Sequence, residues 1–551
     1  MPIRKTASPL KTKAPQKTTT PQKKSPQIHG FIRGSTVLKK ATLLPATLTP
    51  AASGKIDGEC HIFGGSGSDY IKTETLVLKG ATDVWQNTLV MNRASDSLTL
   101  QTRRGPVWIL RPKLVEDGQK SVRKKPRKIH HQGLLDQSPY TSMRERMGNL
   151  WSTLRDVEGV KHLGIFFHGC AESEILGALA GIEMASYRFT YLAKSRTLSP
   201  PFKVTIHGAS SKVMAEANHI GESVNLARHL VNLDAAKLNP KTYSDFVSHW
   251  FKGSKTMSVE VWGPARVLKE KSNLHYGVGQ GAVERSHMVH LKYRPKGKNR
   301  LEKPIAFVGK GVTFDTGGLD LKPASGMRFM KKDMGGSASV VGIAHWLVES
   351  QSDVACDLYL ALAENAVDKE SFRPGDVLTA RNGMTVEIHN TDAEGRLVMA
   401  DVMDVAQGAT AAQAPMALID LSTLTGAMRV AVGAEISGMF ANHDGLADLA
   451  LKSGAVMGDP AWRLPLWDNY KTQLRSSFAD LANASDSGLG GAISAALFLQ
   501  KFVRGQLPWM HFDFNAWNDR PMGGCAEVGG NGQTVQMMIY LLKNITSRTF
   551  N

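Results

Sequence analysis

Cysteine is scarce in this chain. Only Cys60, Cys170, Cys356 and Cys525 occur among 551 residues, and no two form a Cys-x-x-Cys pair, a usage that suits a reducing compartment. No uninterrupted run of about 18 apolar residues is present, so no membrane-spanning helix is expected. A His-Glu dipeptide never occurs, which excludes the zincin helix, and no Gly-x-Ser-x-Gly elbow marks a serine hydrolase. The stretch Gly64-Gly65-Ser66-Gly67-Ser68 lacks the spacing and the Lys-Ser/Thr ending of a phosphate-binding loop and reads as an ordinary loop. Acidic residues are missing from positions 1–56 altogether.

That last absence skews the charge. Residues 1–132 hold 24 Lys+Arg against 8 Asp+Glu and so carry +16 of the total +18, which leaves the rest of the chain nearly neutral. The first 26 residues are rich in Lys, Thr, Pro and Gln, a composition that cannot bury a core. A second basic run follows at Lys120-Ser121-Val122-Arg123-Lys124-Lys125-Pro126-Arg127-Lys128. Three readings fit the basic tail: an import leader, although Lys and Pro rather than Arg dominate it; a nucleic-acid contact or nuclear address; and a solvated extension.

The densest chemistry lies in Asn390-Thr391-Asp392-Ala393-Glu394-Gly395-Arg396-Leu397. Just before it, Met384, Val386 and Ile388 alternate with polar residues, the period of a strand, so Asp392 and Glu394 are expected where a strand ends. Strand ends of open α/β sheets line ligand crevices. A second segment has the same form. Ile305 to Val308 reads as a short strand covered on both faces, with Lys310 and Asp315 at its carboxyl end. Lys322 follows, and Asp333 stands just before an expected helix over 338–347. Together Asp315, Asp333, Asp392 and Glu394 bring four negative charges, which would repel one another unless neutralised. Two divalent cations would balance them, and oxygen-rich ligation suits Mn²⁺, Mg²⁺ or Zn²⁺.

These segments resemble the leucyl aminopeptidases of the cytosol aminopeptidase family of two-metal exopeptidases. The matching stretches are VGKGVTFDTGG at 308–318, LKP at 321–323, MKKDMGG at 330–336, RPGDV at 373–377, NTDAEGRL at 390–397 and STLTGAM at 422–428, within a resemblance spanning roughly 224–515. It implies one metal on Lys310, Asp315, Asp333 and Glu394, and another on Asp315, Asp392 and Glu394. The metals would be Zn²⁺ or Mn²⁺ and would activate a water against the peptide carbonyl. The resemblance also implies that Lys322 stabilises the oxyanion and that Arg396 holds a bicarbonate acting as general base. Met330, Thr423, Gly426 and Asn390 would contact a peptide with a free N-terminus, preferably one beginning with an apolar, leucine-like residue. One stretch departs from the pattern, His511-Phe512-Asp513-Phe514-Asn515-Ala516-Trp517-Asn518, where many relatives are small and apolar.

The fold expected is α/β: a smaller N-terminal α/β domain followed by a C-terminal catalytic α/β domain whose mainly parallel sheet is flanked by helices. The boundaries are a basic extension at 1–56, the N-terminal domain at 57–205 with strands at 75–78 and 107–110 and a helix at 175–192, a connecting helix at 206–230, and the metallopeptidase domain at 231–551. A homohexamer and an intracellular, cytoplasmic or mitochondrial, location complete what the resemblance and the tail imply.

Overall fold

The computed structural model describes residues 56, 58–63, 97–102, 105–110, 138–154, 162–189, 203–410, 412–522 and 524–550. The basic tail before residue 56, the run at 120–128, the glycine stretch at 64–68 and the strand expected at 75–78 lie outside these residues.

The first sheet has five strands: β1 (Gly58–Phe63), β2 (Ser97–Thr102), β3 (Gly105–Leu110), β4 (His162–His168) and β5 (Lys203–His207), in the order β2-β3-β1-β4-β5. Helices α1 (Pro139–Leu154) and α2 (Glu172–Ser186) accompany it. Trp151, Met147, Leu163, Ile165 and Ile182 are among the side chains of its shared apolar core. Helix α2 is shorter than the 175–192 expected, because the chain turns extended at Tyr187. Helix α3 (Ser211–Asn232) follows directly and carries the chain into the second sheet. No helix among the described residues is long and apolar enough to cross a membrane.

The larger sheet has eight strands: β6 (Met257–Trp262), β7 (His287–Tyr293), β8 (Ile305–Asp315), β9 (Cys356–Asn365), β12 (Ala417–Ser422), β13 (Ser437–Ala441), β14 (Ala461–Arg463) and β16 (Trp509–Asp513). Between them in the chain come β10 (Val377–Thr379), β11 (Thr385–Glu387) and β15 (Leu481–Ala482), which form a separate three-stranded sheet. The large sheet runs β14-β13-β16-β12-β8-β9-β7-β6, with β16, β12, β8 and β9 mutually parallel and antiparallel pairings toward both edges. This is the α/β architecture expected, with a parallel centre.

Helices α4 (Gly335–Ser350) and α5 (Gly395–Ala406) cover opposite faces of the centre. Alternation along β8 explains this: Ile305 and Phe307 join the apolar cluster containing Val340, Val341 and Ile343 of α4, whereas Ala306, Val308 and Val312 join Leu397, Val398 and Met399 of α5. Two expectations are corrected here. The central strand does not stop near Val308 but continues to Asp315, so Lys310 lies inside it; ion pairs make the buried charge tolerable there. The strand before Asp392 belongs to the small sheet, and the acidic residues reach the main sheet's crevice through the start of α5.

Candidate active site

The site forms where β8, α4, α5 and the loop after β12 meet. The ladder between β8 and β9 is regular to Val312 and then irregular up to Asp315, a bulge of the kind that re-aims a side chain. Asp315 is held by two donors on Oδ1, the Gly317 amide at 2.8 Å and Asn365 Nδ2 at 2.9 Å. Gly317 and Gly318 then adopt φ of 89° and 67°, values open to glycine, and the turn brings the Lys322 amide back to the Thr316 carbonyl at 2.9 Å. That reversal sets the Lys322 ammonium 2.8 Å from Asp315 and against Asp392.

Lys310 is fully buried between two carboxylates, 2.7 Å from Asp333 and 2.9 Å from Glu394. Its access requires Gly395, since a Cβ there would lie 2.6 Å from the ammonium. Asp333 precedes α4 and Glu394 caps α5, so both stand at positive helix ends. Thr423 donates to Asp333 Oδ1 at 2.8 Å, and its carbonyl accepts from Lys310 at 3.3 Å. The structure thus brings Lys310, Asp315, Lys322, Asp333, Asp392, Glu394, Arg396, Met330, Thr423, Gly426 and Asn390 to one cavity of about 440 Å³.

The charge pattern has a physical consequence. Burial first, then the neighbouring Asp315 charge, pushes Glu394 up to about 7; burial and the same neighbour push Asp392 up to about 6, and burial also raises Asp333. The carboxylates around Lys310 and Lys322 outweigh desolvation and raise both lysines. Here the two ammonium groups supply the cationic charge that metal ions would otherwise bring. The donor set fits divalent cations: Asp315, Asp392 and Glu394 each offer an oxygen within 4.8 Å of the others, and Glu394 Oε2 is buried without a hydrogen-bond partner. Arg396 donates to the Asn483 carbonyl at 2.8 Å, but its buried Nε has no partner and burial lowers it to about 10. A buried guanidinium without a paired carboxylate is suited to an anion.

A pH dependence follows from these groups in metal-free protein. A carboxyl whose folded pKa lies above its unfolded one contributes stability in the protonated state, complete below the unfolded value and lost as pH rises through the folded value. Metal-free protein therefore loses thermal stability between the ordinary carboxyl value of 4.5 and about 7, the Glu394 window, and saturating Mn²⁺ removes that slope. Melting curves across this range, with and without metal, check it.

Several contributors were given no role by the sequence. Asn365 orients Asp315 from the end of β9, and its only sequence signal is its place as the last residue of a buried strand. Asn483 anchors both Arg396 and the Asn390 carbonyl. Lys332, Arg429 and Asn515 line the same cavity. Burial lowers the Lys332 ammonium to about 8, leaving it a cation at neutral pH.

Comparison with known proteins bears on the chain as a whole. Residues 225–539 match the profile described as the cytosol aminopeptidase family, catalytic domain. A probable cytosol aminopeptidase of Acidovorax sp. (strain JS42) is 38% identical over 398 residues, 71% of this chain and 77% of that protein. The cytosol aminopeptidase of Encephalitozoon cuniculi (strain GB-M1) is 35% identical over 370 residues, 67% of this chain and 74% of its own length. Among solved structures, the cytosol aminopeptidase from Coxiella burnetii matches with a TM-score of 0.73 and 28% identity over 92% of this chain and 99% of that one. The bottromycin maturation enzyme BotP in complex with Mn matches with a TM-score of 0.73 and 26% identity over 89% and 99%. The class is that of the metal-dependent aminopeptidases, which are hydrolases. Within it, the chain belongs to the cytosol aminopeptidase family.

Proposed function

We propose that Lys310, Asp315, Asp333, Asp392 and Glu394 hold two divalent cations, Zn²⁺ or Mn²⁺, and that the protein releases the first residue of peptides with a free amine. One observation carries this reading: the four carboxylates and two lysines converge in a single cavity although the chain spreads them from Lys310 to Glu394. When bound, the ions supply Lewis-acid polarisation of the peptide carbonyl and activation of a water. Asp315 and Glu394, the most enclosed of the acids, would be shared between the two cations. Lys322 is a cation at the cavity wall, positioned to stabilise negative charge developing on the carbonyl oxygen. Arg396 would hold a bicarbonate as general base. Asn390 lies at the cavity's exposed edge, and Met330, Thr423 and Gly426 bound the space for the first side chain, for which family likeness implies an apolar, leucine-like group. A homohexamer belongs to the same reading by family likeness.

The test is hydrolysis of leucine, methionine and glutamate amides by metal-stripped protein before and after Mn²⁺ or Zn²⁺ is restored. Turnover appears only with metal, and Lys322→Ala lowers kcat by about 10²–10³-fold with a smaller change in KM. Folded protein that hydrolyses none of the amides with either metal overturns the reading.

A further inference from the structure

The pocket bounded by Met330, Thr423 and Gly426 is not apolar throughout. Lys332 stands two residues after Met330, Arg429 one helical turn after Gly426, and Asn515 in the loop after β16; all three line the same cavity. Lys332 Nζ donates to the Asn515 carbonyl at 2.8 Å and to its side-chain oxygen at 3.1 Å, and forms no ion pair among the described residues. Among the described residues Arg429 pairs only with Asp519, at 3.5 Å with both side chains exposed.

The acids nearest Lys332 are engaged elsewhere. Asp333 is engaged by Lys310 and Thr423. Asp513, buried, accepts from the Leu424 amide at 2.7 Å, the Thr425 amide at 3.2 Å and the Thr425 hydroxyl at 2.6 Å. A partly enclosed ammonium satisfied only by neutral oxygens retains a strong attraction for a carboxylate, and the Asn515 amide beside it, which gives one N–H to the Trp517 carbonyl at 2.7 Å, keeps a second N–H to donate. A leucine side chain in this space would instead desolvate the ammonium without compensation.

We propose that this pocket takes an acidic first side chain, held between Lys332, Arg429 and the Asn515 amide, so that preferred substrates are peptides beginning with glutamate or aspartate. The inference rests on the aminopeptidase reading above and replaces its leucine-like preference. Charge-assisted pairing in a half-buried site favours the acidic substrate by about 10- to 100-fold in kcat/KM.

The experiment compares glutamyl-, aspartyl- and leucyl-7-amido-4-methylcoumarin on the Mn²⁺-loaded full chain and on Lys332→Met, Arg429→Leu and Asn515→Ala. The expected result is a glutamyl or aspartyl preference that inverts in Lys332→Met and falls in Arg429→Leu. Arg429 is exposed, so its variant is readable even where Lys332→Met folds poorly. Calorimetric titration with free L-glutamate and L-leucine gives the same order without turnover. Leucyl hydrolysis that exceeds glutamyl hydrolysis in the unaltered protein, with a ratio unmoved by either cation variant, overturns this inference and leaves the aminopeptidase reading standing. Failure to hydrolyse any of the three overturns both.

Discussion

Glu394→Gln removes metal-dependent turnover, by about 10³-fold or more in kcat, while metal-free protein stays folded. Glutamine preserves the shape of the side chain at the start of α5 and its hydrogen bonding toward Lys310, which remains paired with Asp333 at 2.7 Å. What it removes is an anion whose outer oxygen is buried with no protein partner. In metal-free protein burial and Asp315 raise that carboxyl to about 7, so its charged form is already disfavoured and the neutral replacement costs little stability. The two states therefore separate in a melting experiment. Saturating Mn²⁺ at 100 times its dissociation constant stabilises the unaltered protein by about 2.7 kcal/mol and the variant by much less. Turnover within tenfold of the unaltered protein, or an equal Mn²⁺ stabilisation, contradicts the role given to Glu394.

Gly336→Ala destabilises the fold by about 3 kcal/mol and weakens metal binding as well. An added Cβ at Gly336 would sit 2.0 Å from the Leu421 carbonyl oxygen and 2.9 Å from the Lys310 amide, both backbone atoms of buried central strands that cannot give way cheaply. Helix α4 must then move off β8 and β12. Asp333 precedes that helix by two residues and Lys310 lies under it, so the distortion reaches the carboxylates proposed to hold the metals. The expected fall in melting temperature is roughly 5–10 °C, with a weaker response to Mn²⁺. Gly297→Ala provides the comparison, because nothing lies within 4 Å of its added Cβ and its melting temperature should not move. A Gly336→Ala protein as stable as Gly297→Ala would show that the helix can retreat without cost.

The site residues were legible in the sequence because their signals are local. Lys310, Asp315, Asp392 and Glu394 stand beside strand-like runs and glycines, and the structure gives those glycines definite tasks: Gly317 and Gly318 make the left-handed turn, and Gly395 clears the path of Lys310. Strand length was less legible. Counting apolar residues ended β8 near Val308, since a lysine normally breaks a buried strand; its two carboxylate partners come from positions 333 and 394, beyond any local window. Asn365 carried no motif because its task, holding Asp315 across two adjacent strands, exists only once β8 and β9 are paired.

The sequence by itself determined the α/β class, the charge-balanced set of carboxylates and lysines, and the near-neutrality of residues 133–551 beside the basic first 132, because periodicity, composition and residue type belong to the chain before it folds. The tertiary structure decided which of those groups share a cavity and what else enters it. Lys332 and Asn515 are 183 positions apart, and only the crossing of the parallel sheet places one amide against the other's ammonium. Electrostatics in a buried pocket depends on distance and desolvation, and both are properties of the folded chain.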